Sequence, residues 1–154
     1  MQSGPTKKKT PEVYIRNLGR QTRMLGLSKS KKKSVQPKIL LVDDDPNYVS
    51  SIQYRLELCQ YKVITAGNGQ EGLEKAVNEK PDLILLDTKM PIMNGHEMLE
   101  HLRIHPDSRE IPVIMCTMRF GAQDIAKASS YNISDYVTKP FDYTELMERI
   151  ASAL

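Results

Sequence analysis

Tryptophan is absent from these 154 residues, and phenylalanine and cysteine each occur only twice. Two thiols cannot build a disulfide framework. Cys59 and Cys116 also lack the close spacing of metal-ligand pairs, so both read as reduced structural cysteines. Long apolar runs are missing as well: no stretch approaches the roughly 18 residues a membrane-spanning helix needs, and the first residues hold no apolar signal block. A cytoplasmic location is the resulting expectation. Acids are scarce in one place only. Residues 1–36 carry ten basic residues and one acid, Glu12, whereas residues 37–154 carry twelve basic and eighteen acidic ones. The first segment, rich in Lys, Ser, Thr and Gly, reads as a basic disordered extension, and residues 37–154 as a single domain with a true core.

From Pro37 onward, short apolar runs alternate with amphipathic stretches, the pattern of successive β-α units. Strands are predicted at Lys38 to Val42, Lys62 to Thr65, Leu83 to Leu86, Val113 to Cys116 and Tyr136 to Thr138. Runs such as Ile39-Leu40-Leu41-Val42 and Leu83-Ile84-Leu85-Leu86 are apolar throughout, as strands buried on both faces must be. Asp45 is placed to cap a first helix whose first turn tolerates Pro46, with Val49, Ile52, Leu56 and Cys59 as its inward stripe. Asn94 and Glu97 have the spacing of a capping box, and Asp142 with Glu145 repeats it. Ala122, Ile125, Ala126 and Ser129 form the expected inward face of the fourth helix. Right-handed crossovers then lead to a flavodoxin-like three-layer α/β sandwich: a doubly wound parallel five-stranded sheet of order 2-1-3-4-5 with five helices.

That order sets the ends of the first and third strands side by side, and these ends carry Asp43, Asp44 and Asp87. Crowded carboxylates raise one another's proton affinity unless a cation joins them, and an open oxygen-rich cleft suits Mg²⁺, which keeps several waters. Lys139 follows the fifth strand, in Tyr136-Val137-Thr138-Lys139-Pro140, and Thr117 ends the fourth. Acid, metal, ammonium and hydroxyl are the parts that phosphoryl transfer needs, with Asp87 as the nucleophile because it stands alone at its strand end.

With Val-Asp-Asp-Asp-Pro at 42–46, Asp-Thr-Lys-Met-Pro-Ile-Met-Asn-Gly at 87–95, Cys-Thr at 116–117 and Tyr-Val-Thr-Lys-Pro-Phe at 136–141, the chain resembles the receiver domains of two-component response regulators from about Pro37 to Leu154. The resemblance implies that Asp87 takes phosphate from a phosphohistidine on a sensor histidine kinase or histidine phosphotransfer protein. It implies that Asp43, Asp44, Asp87 and the carbonyl of Lys89 hold Mg²⁺, and that Thr117 and Lys139 bind phosphoryl oxygens. Thr117 and Tyr136 would form the switch, Lys139-Pro140 a cis peptide, and the fourth helix, fifth strand and fifth helix the face that signals to a downstream protein. A phosphorylation-dependent dimer is left open. The expectation is a stand-alone receiver, a switched signalling module and not an enzyme acting on a free substrate. Three departures from the family pattern concern the modulation of the site: Lys89 and Arg119 would face its mouth, and Met118 has bulk enough to crowd an inward-turning Tyr136.

Two other functions stay open at this point. Asp43-x-Asp45 after a strand also resembles the nucleophile motif of haloacid dehalogenase phosphatases, in which case Asp43 would be phosphorylated, although Asn47 stands where Thr or Val is expected. A receiver-like scaffold that works without phosphorylation is the other. His101 and His105 have helical metal-ligand spacing, but Pro106 ends the helix, and both read as solvated; Met90 and Met93 read as packing. The leader, with Tyr14, Leu18 and Leu25 near one face of Pro11 to Leu27 and Arg16, Arg20 and Arg23 elsewhere, has three readings. It is a flexible linker, an organelle transit peptide, or a contact for nucleic acid, anionic membrane or an acidic protein.

Overall fold

A computed structural model describes residues 36–118 and 121–154. The expected disorder of the leader, the helix at Pro11 to Leu27 and the role of Arg119 therefore lie outside the described residues. Ten elements alternate: β1 (Lys38–Val42), α1 (Pro46–Leu58), β2 (Lys62–Ala66), α2 (Gly69–Glu79), β3 (Leu83–Asp87), α3 (Gly95–Ile104), β4 (Val113–Thr117), α4 (Ala122–Ser129), β5 (Asp135–Thr138) and α5 (Tyr143–Ala153). All strand pairs are parallel and the order is β2-β1-β3-β4-β5, as the pattern of buried runs demanded.

Alternation along each strand divides the core in two. Leu40, Val42, Ile84, Leu86, Val113 and Met115 pack with Ala76 of α2, Met98, Leu99 and Leu102 of α3, and Ala128 of α4. The intervening residues, Ile39, Leu41, Leu83, Leu85, Ile114 and Cys116, are equally buried, as are Ile52 and Leu56 of α1 and Leu146 and Ile150 of α5. Two helices thus serve one face of the sheet and three the other.

Local chemistry fixes the helix starts. Asp45 accepts the backbone N–H groups of Asn47 and Tyr48, Asn94 and Glu97 close a reciprocal capping box, and Asp142 accepts the N–H of Thr144, each satisfying donors that the first turn leaves unpaired. Three of the strands run one residue further than their apolar runs, because Ala66, Asp87 and Thr117 still pair with their neighbours. Cys59 caps α1 instead of extending its stripe. The fourth helix differs most from expectation: Ala122, Ile125, Ala126 and Ser129 are exposed, and Ala128 is its one buried residue. Asn132, before β5, takes a left-handed backbone conformation with φ 51°.

The candidate phosphoryl site

The carboxyl edge of the sheet gathers five of the chemistry-bearing residues. Register sets Val42 beside Leu86 and Asp87 beside Cys116, so the residues that follow β1 and end β3 and β4 share one rim. Asp43 is 3% exposed, Asp87 8% and Thr117 3%, while Asp44 is open to solvent. One carboxylate oxygen from each of Asp43, Asp44 and Asp87 lies within 4.8 Å of the others. Asp43 is fixed from both sides: its N–H donates to Ala66 O at 3.0 Å, and its Oδ1 accepts the N–H of Asp45 at 2.9 Å.

Lys139 enters from the turn after β5, where its N–H donates to Thr117 O at 2.7 Å and its peptide bond to Pro140 is cis. Its ammonium donates to Asp43 Oδ2 at 2.5 Å and reaches Asp87 Oδ1 at 3.4 Å. Burial pushes the Asp87 carboxyl above the usual aspartate range; Lys139 opposes this and the Asp43 charge adds to it. Burial pulls the Lys139 ammonium down, but its hydrogen bond to Asp43 and the two carboxylate charges outweigh that and hold it above an ordinary lysine. One ammonium among three carboxylates leaves the cluster net negative. A small oxygen-loving dication would fit that donor set, to which Asp43, Asp44 and Asp87 each offer one carboxylate oxygen.

Thr117 and Tyr136 follow the alternation of Val113 and Met115 and so belong to the sheet face that carries α2, α3 and α4. The Tyr136 hydroxyl donates to Ile125 O of α4 at 2.9 Å. Met118 is 67% exposed and Lys89 lies exposed on the wall of the cleft. His101 is exposed on α3, and His105 stands at its end as the cap. Two site residues carry no sequence signal. Thr88 Oγ1 is 2.8 Å from Thr117 Oγ1, and the ring of Tyr48 lies under the Lys139 ammonium.

Gly95 locks the loop after β3 onto the site. Its N–H donates to Thr88 O at 3.0 Å, and an added Cβ would stand 2.1 Å from Asp87 O and 3.0 Å from Thr88 Cα. Gly95→Ala should therefore destabilise the protein by about 2 kcal/mol through forced backbone displacement. Urea unfolding measures this, and an unchanged midpoint would contradict the contact.

Comparison with known proteins points the same way. The family described as "Response regulator receiver domain" matches residues 39–151. The alkaline phosphatase synthesis transcriptional regulatory protein PhoP of Bacillus subtilis is 40% identical over 117 residues, which cover 76% of this chain and 48% of that protein. The chain spans about half the length of the curated relatives it matches. Chemotaxis protein CheY4 of Vibrio cholerae superposes with a TM-score of 0.74 at 27% identity, covering 78% of this chain and all of that one. The receiver domain of sensor histidine kinase PA1611 from Pseudomonas aeruginosa, solved with magnesium coordinated in its active site cleft, gives 0.71 at 26% identity over 77% of this chain and 97% of its own. Strand order, rim chemistry and sequence agree: the chain belongs to the response regulator receiver domains of two-component systems.

Proposed function

We propose that this receiver accepts a phosphoryl group on Asp87 from a phosphohistidine of a sensor histidine kinase or phosphotransfer protein, acting in the cytoplasm. In the step, a carboxylate oxygen of Asp87 attacks phosphorus. The P–N bond breaks, its electron pair returns to the imidazole nitrogen, and that nitrogen takes up a proton. Mg²⁺, held by Asp43, Asp44, Asp87 and the carbonyl of Lys89, would supply charge neutralisation for the phosphoryl oxygens. Lys139 would bind one of those oxygens in exchange for its carboxylate partners, and Thr117 would donate its hydroxyl to another. Tyr136 would then leave its bond to Ile125 O and turn inward, altering the face of α4, β5 and α5 that a downstream protein reads. Lys89 would modulate access of water at the mouth.

The observation that carries this reading is the position of the Lys139 ammonium between Asp43 and Asp87 at the rim of a parallel sheet. A phosphatase that uses Asp43 as nucleophile fits less well, because Asp43 is the more enclosed carboxylate, 3% exposed against 8% for Asp87, and holds the shorter bond to the ammonium. Incubation with Mg²⁺ and acetyl phosphate or phosphoramidate, followed by mapping of the modified residue, tests all of this. Modification at Asp87 that requires Mg²⁺ is the expected result; modification at Asp43, or none at all, would overturn it.

A further inference from the structure

We infer that Tyr48 is a positioning residue for Lys139: its ring face fixes the ammonium between Asp43 and Asp87 and thereby sets how fast Asp87 is phosphorylated. This rests on the reading of Asp87 as the phosphoryl acceptor. The Lys139 Nζ stands 3.9 Å from the centroid of the Tyr48 ring while it contacts both carboxylates. Lysine is a compact charge on a flexible four-carbon stem, and two carboxylates alone leave it free to side with either one. The negative face of an aromatic ring attracts the cation from a third direction and keeps water off that flank. The Lys139 side chain is 12% exposed, so this attraction operates in a largely desolvated setting.

The ring is itself held. The N–H of Tyr48 donates to Asp45 Oδ1 at 3.2 Å, so the cap that starts α1 also sets where this residue sits. Phe141, two residues after Lys139, meets the Tyr48 ring edge-on at 6.2 Å and 77°, and meets Tyr143 at 6.2 Å and 84°. Tyr143 in turn lies 3.5 Å beneath the Arg55 guanidinium, with its hydroxyl 3.0 Å from Ser51 Oγ. This column joins one side of α1 to the turn that carries Lys139. Burial, with Cys116 and the Asp43 charge adding to it, pushes the Tyr48 phenol far above its ordinary range. Tyr48 therefore acts as a neutral ring and not as a charge.

The test uses the full chain, acetyl phosphate and saturating Mg²⁺, with Tyr48→Met and Tyr48→Phe. Methionine retains apolar bulk without a ring and should slow phosphorylation of Asp87 roughly tenfold, whereas phenylalanine, which keeps the ring face, should stay within about twofold of the parent. A second readout needs no phosphoryl donor: the ε-methylene protons of Lys139 should be shifted upfield by the ring current in the parent and in Tyr48→Phe, and not in Tyr48→Met. Equal rates in the parent and Tyr48→Met would overturn the inference, as would unshifted Lys139 ε-protons in the parent. If Tyr48→Met does not fold, the parent and Tyr48→Phe spectra decide. A parent protein that takes up no phosphoryl group on Asp87 defeats the functional reading instead, and the proton shifts still judge the contact.

Discussion

Asparagine in place of Asp87 is expected to abolish phosphoryl uptake and, in metal-free protein, to raise the melting temperature by about 4 °C, equivalent to about 1 kcal/mol. Both effects follow from removing one carboxylate: uptake loses its nucleophile, and the fold loses a charge held in a poorly solvated place. Burial, with the Asp43 charge behind it, holds the folded-state carboxyl of Asp87 above its ordinary value. A carboxyl shifted upward favours the folded state fully below its unfolded value. That contribution disappears as the pH rises through the folded value. At neutral pH the ionised side chain is therefore a net cost, and a neutral amide of the same shape removes it. Lys139 keeps its shorter partner, Asp43, so the ammonium is not orphaned. If Asp87 ligates Mg²⁺ as proposed, adding the ion should narrow the gap, because it would stabilise the parent by binding the folded state and would have one ligand fewer in the variant. Thermal unfolding with and without Mg²⁺, across pH 5 to 8, checks this; a variant that melts lower than the parent in metal-free buffer would refute it.

The second large effect lies at Arg103, which has no part in the chemistry. Its Nε donates to Tyr131 O at 2.7 Å, Nη1 to Arg109 O at 3.1 Å and Ile111 O at 3.0 Å, and Nη2 to Asn132 O at 3.2 Å. One guanidinium from α3 thus gathers the turn before β4 and the turn before β5. Arg103→Leu leaves these carbonyls to find other donors in a half-buried setting, and a charged donor is worth more than a neutral one, so a loss on the order of 3 kcal/mol is expected. Arg103→Lys should recover less than half of it, since an ammonium cannot span the fork. Chemical denaturation of both variants provides the measurement. A loss below about 1 kcal/mol for Arg103→Leu would show that the carbonyls are satisfied without it.

Much of the architecture is readable from the chain because its signals are local. A fully apolar run of four that ends on an acid, as before Asp43 and Asp87, has the length and pattern of a strand buried on both faces, and Asp45, Asn94 with Glu97, and Asp142 mark their helices by spacing alone. The gathering of Asp43, Asp44, Asp87 and Lys139 then follows from strand order. Tyr48 is not singled out by the same logic: one turn before Ile52, it reads as packing in line with the α1 stripe, and its partner lies 91 positions away, joined only by the fold. Thr88 sits beside Thr117 for a similar reason, through β3–β4 pairing. Ile92, 83% exposed at φ 70°, takes a backbone region that β-branched residues avoid, and composition offers no hint of it. The fourth helix misled because small apolar residues at helical spacing resemble a packed face whether or not a neighbour covers them.

That helix has an energetic meaning of its own. Ala128 is its one fully buried side chain, and the carbonyl of Ile125 is tied to the Tyr136 hydroxyl. A segment fastened so lightly should open by itself, at a free energy well below that of global unfolding, and hydrogen exchange should show its amides using that local route. Moving α4 should then take only a fraction of the stability held by the sheet, so that under the proposed function phosphorylation at the rim would re-seat it while the remaining core stays closed.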